Sequence, residues 1–87
     1  MQNKQHAITF PCEFPIKAMG LNTETFQTVI RAIIRKHVNS DEIAYSIQPS
    51  RGDKYLSITA TFTAQSREQL DALYQELNDH KLVLMTL

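Results

Sequence analysis

A single cysteine, Cys12, leaves this 87-residue chain without any disulfide framework. Small secreted domains usually offset a thin core with several paired cysteines. The lone thiol therefore points to a reducing compartment, and the cytoplasm is the expected location. The chain also lacks a charge surplus, with nine Lys and Arg against nine Asp and Glu. A nucleic-acid-binding domain draws much of its affinity from a basic excess that neutralises phosphates, so nucleic acid is a disfavoured partner. No apolar run approaches the roughly 18 residues of a membrane helix, and no membrane partner is expected. The opening MQNKQHAITF has neither an apolar centre nor a small-residue cleavage pattern, and it is not read as a secretion signal.

What is present suits one small globular domain. The chain is 43% hydrophobic and 21% charged, in the ordinary range. A domain of this length hides only roughly 60–65% of its unfolded surface. Its core has little room for a large cofactor, and none is expected.

Residues 1–13 lack periodicity and read as a flexible segment whose end is anchored by Phe10. Over 14–20, Phe14, Ile16 and Ala18 alternate with Pro15, Lys17 and Met19, the two-residue period of a strand. A helix is expected over about 23–38. Asn22 is its expected N-cap, and Phe26, Val29, Ile30 and Ile33 form its apolar stripe. Asn39-Ser40-Asp41 breaks it. A second strand follows around Ile43, Tyr45 and Ile47, then a turn-rich loop from Pro49 to Asp53. The third strand, about 54–63, sends Leu56, Ile58, Ala60 and Phe62 one way and Tyr55, Ser57, Thr59 and Thr61 the other. Ser66 and Gln69 form a capping box ahead of Leu70, Leu73, Tyr74 and Leu77. Residues 81–87 alternate as a last strand, with Leu84 expected inward and Val83 and Met85 outward. Residues 14–87 thus make one domain.

This order, β-α-β-β-α-β, is the ferredoxin-like plait of the α+β class: a four-stranded antiparallel sheet with both helices on one face, strands ordered 4-1-3-2. The other face has no helix to cover it. Lys17, Met19, Tyr55, Thr59 and Met85 are expected on that face, which mixes apolar and hydroxyl groups and suits a partner.

At this point the residues resemble the YbeD-like family of small bacterial proteins, over nearly all of 10–87. Carrying the resemblance are Phe10-Pro11, Phe14-Pro15, Lys17, Met19 and Gly20, then the Pro49-to-Tyr55 loop leading into Ser57 and Thr59. Glu68-Gln69-Leu70, Leu73-Tyr74, Glu76-Leu77 and the Val83-to-Leu87 ending complete it. The family is similar to the ACT-type regulatory domains. The resemblance implies a regulatory or ligand-binding module, with edge-to-edge pairing of sheets as one route to a homo-oligomer; a non-enzymatic role is expected because the residues offer no nucleophile-base pair. In ACT-like domains the connection after the first strand approaches a ligand through its backbone. The resemblance carries that role to Gly20, Leu21 and Asn22, where glycine permits close approach and the next helix offers free N–H groups.

Other groups carry less chemistry. Arg51-Gly52-Asp53-Lys54 suits a solvated hairpin tip, or a contact with a protein or an anion. His6, His37 and His80 lack the spacing of a zinc site, and the last two are expected to serve helix C-termini. Cys12 has no obvious base beside it. Strands one and three offer a single aromatic, Tyr55, where RNA-recognition domains need a stacking platform. The first loop has no arginine of the acylphosphatase kind. The partner is thus expected to be a protein or a small metabolite.

Overall fold

The fold is taken from a computed structural model that describes residues 8–39 and 41–87. The part of the N-terminal segment up to residue 7, with His6, and Ser40 of the helix-breaking turn lie outside the described residues. The elements run β1 (Cys12–Leu21), α1 (Glu24–His37), β2 (Ala44–Pro49), β3 (Tyr55–Ala64), α2 (Arg67–Asp79) and β4 (Met85–Thr86). All strand pairs are antiparallel, in the order β2-β3-β1-β4. This is the expected plait and the expected order.

The long β1–β3 ladder organises the sheet. Ile16 faces Ala60 and Ala18 faces Ile58, while Lys17 faces Thr59 and Met19 faces Ser57. Directly opposed residues share a face, so one parity is buried and the other is not. Ile16, Ala18, Leu56, Ile58, Ala60 and Phe62 join Phe26, Ile30, Ile33 and Ile34 of α1 and Leu70, Leu73 and Leu77 of α2 in one core. Both helices therefore cover the same face. Among the described residues no polar or charged residue is buried, so burial of apolar area, at roughly 25 cal/mol per Å2, is the main favourable term.

The helix ends show where local chemistry decides. Thr23, not Asn22, caps α1: its Oγ1 accepts from the Phe26 N–H at 3.0 Å. Asn22 is one residue too early, and its side chain is committed elsewhere. The α2 cap is as expected, with Ser66 Oγ accepting from the Gln69 N–H at 3.1 Å. Gln69 then reaches further than a capping box requires. Its Oε1 accepts from the Gln65 N–H at 2.7 Å, and its Nε2 donates to the His37 carbonyl at 2.8 Å, tying the start of α2 to the end of α1. The His37 ring hydrogen-bonds Glu76 at 2.7 Å instead of its own helix end, and Lys36 pairs with the same carboxylate. His80 Nδ1 accepts from the Leu82 N–H at 3.1 Å in the turn after α2.

Two strand boundaries differ from expectation. Cys12 and Glu13, expected in the N-terminal segment, pair with Ala64 and Thr63 in β1. At the other end β4 is only Met85–Thr86. The Val83 N–H donates to the His80 carbonyl at 3.0 Å, so a turn occupies the start of the expected strand. The alternation expected there is displaced: Leu84 is 61% exposed instead of inward, and Val83 packs against the core instead of outward.

Three outcomes follow from this packing. Ser66→Ala is expected to cost about 1 kcal/mol through the lost cap, read as a lower urea midpoint; an unchanged midpoint would contradict it. Gly20 has no room for a side chain, because an added Cβ would strike the Phe26 ring and sit 2.6 Å from the Leu82 carbonyl oxygen. Gly20→Ala should destabilise by roughly 1–3 kcal/mol, as overpacking does, again by denaturation midpoint. Hydrogen bonds from Lys36 and then His37 hold the Glu76 carboxyl below its ordinary value of 4.5. A depressed folded-state value contributes stability that is present above the ordinary value and lost as pH falls through the folded one. The stability gap between the parent and Glu76→Gln should therefore be widest near neutrality and close in acid. A gap of constant size across that window would refute the assignment.

Candidate functional site

The face opposite the helices is crossed by rows of paired side chains. Ser46, Thr59 and Lys17 form one row, and Gln48, Ser57, Met19 and Met85 the next. Leu21 and Tyr55 face each other at the end nearest the β2–β3 turn. A groove of about 390 Å3 opens there. Its floor is Lys17, Met19, Ser57 and Thr59, and its wall is the turn carrying Ser50 and Arg51 together with Tyr55.

That turn is built to a fixed shape. Gly52 and Asp53 both adopt positive φ, 84° and 61°, the region glycine enters freely and Asp tolerates. The Asp53 N–H donates to the Ser50 carbonyl at 2.9 Å, and Ser50 Oγ accepts from the Tyr55 N–H at 3.0 Å. Asn22 braces the turn from the other loop: its backbone N–H donates to the Lys54 carbonyl at 3.0 Å and its Nδ2 to the Asp53 carbonyl at 3.1 Å. Two loops far apart in sequence thus form one corner of the molecule. Asn22 lies one residue before the Thr23 cap of α1, which begins at Glu24.

The structure gathers most of the residues singled out from sequence. Lys17, Met19, Tyr55 and Thr59 all line the groove, and Met85, 52% exposed, stands beside Met19 just outside it. Gly20, Leu21 and Asn22 do not make a comparable recess. Gly20 faces the core beneath Phe26, Leu21 is exposed on the open face, and Asn22 is engaged with the turn. The recess next to Leu21, bounded by Phe26, Leu82 and Leu84, measures about 100 Å3 and is largely apolar. Sequence reading did not place Arg51, Ser46 or Gln48 in a common site with Lys17. The signal that could have done so is the β2–β3 register, which depends on the loop length and the strand ends.

The groove is poorly equipped for proton transfer or nucleophilic attack. Its hydroxyls have no His, Cys, Asp or Glu among the lining residues to activate them. Among the described residues no group of three His, Cys, Asp or Glu could hold a metal ion, and no helix is long and apolar enough to cross a membrane. Burial raises the Tyr74 hydroxyl above its ordinary value. That group donates to the Leu87 carbonyl at 3.1 Å, which fixes the last strand to α2 and not to the groove.

Comparison with known proteins agrees with this architecture. A solution structure of protein HP0495 from Helicobacter pylori superposes with a TM-score of 0.69 at 14% identity, covering 93% of this chain and 86% of that one. The ACT domain from the GTP pyrophosphokinase of Chlorobium tepidum gives a TM-score of 0.65 at 14% identity, covering 88% and 96%. At such identities the likeness is one of fold. In sequence, a UPF0250 protein of Nitrosomonas europaea is 40% identical over 85 residues, spanning 97% of this chain and 98% of its own length. The family described as "Protein of unknown function (DUF493)" matches residues 5–87. The chain therefore belongs to the DUF493/UPF0250 family, the YbeD-like small bacterial proteins, built on an ACT-like ferredoxin fold.

Proposed function

We propose that this chain is a regulatory or small-ligand-sensing module that acts by binding and not by catalysis, with the open sheet face as its working surface. The observation that carries this reading is the groove of about 390 Å3 on the face that neither helix covers. A small domain that commits both helices to one face leaves hydroxyl, thioether and cationic side chains on the other, and such a face suits a partner. The likeness to a domain described as the ACT domain of a GTP pyrophosphokinase supports the regulatory class. The Gly20 corner is the weaker location, because Phe26 fills the space beside the glycine and the neighbouring recess is about a quarter the size.

A protein-interaction adaptor with no small ligand is the second reading. It is favoured by the apolar strip along the β4 edge, where Leu84, Met85 and Leu87 are 61%, 52% and 65% exposed. A second copy of this chain is one candidate for that contact.

Thr59 stands mid-strand on the open face, between Lys17 and Ser46. Thr59→Glu should fold normally and lose its association, because the new carboxylate intrudes on the contact and takes up the Lys17 ammonium directly opposite it. On a merely solvated face the change would cost within about 0.5 kcal/mol and alter no association. Circular dichroism reads the fold, while sedimentation and binding assays read the contact. A folded variant that keeps every association would rule out the sheet face.

A further inference from the structure

Charge is segregated on the open face more sharply than the composition suggests. The chain as a whole is balanced, nine cationic against nine acidic residues. The groove is lined by Lys17 and Arg51 with no acidic side chain among its lining residues. The Lys36 ion pair and the His37 hydrogen bond of Glu76 join the two helices and lie away from the groove. Glu13 shares the open parity of β1 but lies four residues from Lys17, about 13 Å along a strand. Asp53 sits in the same turn as Arg51 but is not among the groove-lining residues, and its carbonyl faces Asn22.

The remaining lining groups complement the two charges. Ser46, Ser57 and Thr59 supply hydroxyl donors beside Lys17, and Tyr55 bounds one side. Lys54 stands over the Tyr55 ring, 5.5 Å from its centroid, and like Asp53 is not among the groove-lining residues. A guanidinium presents a planar fork of donors that matches a carboxylate or phosphate, and an ammonium adds a point charge. Arg51 is carried on a turn whose shape is fixed by Gly52, Asp53 and the Asn22 brace, so its backbone is positioned before any ligand arrives.

We infer that the groove is an anion site, which takes a small ligand bearing a carboxylate or phosphate group between Lys17 and Arg51. The inference rests on the reading of the sheet face as the working surface and adds the ligand's chemical class.

Titration of the full chain with inorganic phosphate, citrate and chloride at constant ionic strength, followed by backbone amide NMR, tests it. Phosphate or citrate should give saturable shifts at Ser46, Arg51, Ser57 and Thr59 that chloride does not. The stronger of the two responses identifies a phosphorylated or a carboxylate ligand. Lys17→Gln and Arg51→Gln should each weaken binding roughly tenfold or more, as expected for loss of a charged hydrogen-bond donor. Arg35→Gln, on α1, should leave it unchanged. Shifts that chloride reproduces, or that survive both groove variants, overturn the inference. If no anion saturates the groove while Thr59→Glu still loses its association, the anion site is refuted and the face remains the working surface. If Thr59→Glu keeps every association, the face itself is refuted and the anion site with it.

Discussion

The antiparallel pairing of β1 with β3 runs the full ten residues of each strand, and its register decides what each face of the molecule is. A slip of β1 by one residue against β3 would turn Ile16 and Ala18 outward and bring Lys17 and Met19 beneath the helices. That alternative strands a lysine ammonium in a core that has no polar partner for it. The register is therefore specified by the same side chains that it sorts. The open face is the other half of that sorting, since two helices are enough to cover one side of a four-stranded sheet and no more.

From the ladder the rest of the corner follows. Continuing β1 to Leu21 brings Gly20 under Phe26 at the start of α1, where only a missing Cβ allows the approach. The chain then leaves the sheet at Asn22, opposite the end of the β2–β3 turn, and Asn22 closes the gap with two hydrogen bonds to that turn. The glycine thus serves packing, and the asparagine serves loop geometry. Together they fix the backbone of the turn that carries Arg51 at the mouth of the groove. The loop to which the family resemblance carries a ligand role thus also braces the turn beside the groove.

The elements with strong periodicity are legible in the amino-acid sequence. The alternation in β1 and β3 and the stripes of α1 and α2 yield the order, the strand arrangement and nearly all of the core. The Ser66–Gln69 box is legible for the same reason: its spacing is local. Asn22 misleads because Asn and Thr23 are both acceptable caps, and the residue at which α1 begins decides between them. The last strand misleads because alternating residues at 81–87 satisfy the strand period while His80 and Val83 close a turn through their backbones. The groove is half legible. Parity places Lys17, Met19 and Thr59 together, but Arg51 joins them through tertiary geometry that no local pattern records.

The central claim is that the open sheet face is the working surface, and its methionines report on it directly. With the methionine, isoleucine and leucine methyl groups and the backbone amides labelled, Met19 and Met85 give probes on adjacent strands of that face. Addition of soluble cell extract, as separate small-molecule and macromolecular fractions, should shift both methyl signals while core methyls such as Ile30 and Leu73 stay in place. Unmoved Met19 and Met85 signals, with changes at the Leu21 and Asn22 amides instead, would contradict the account.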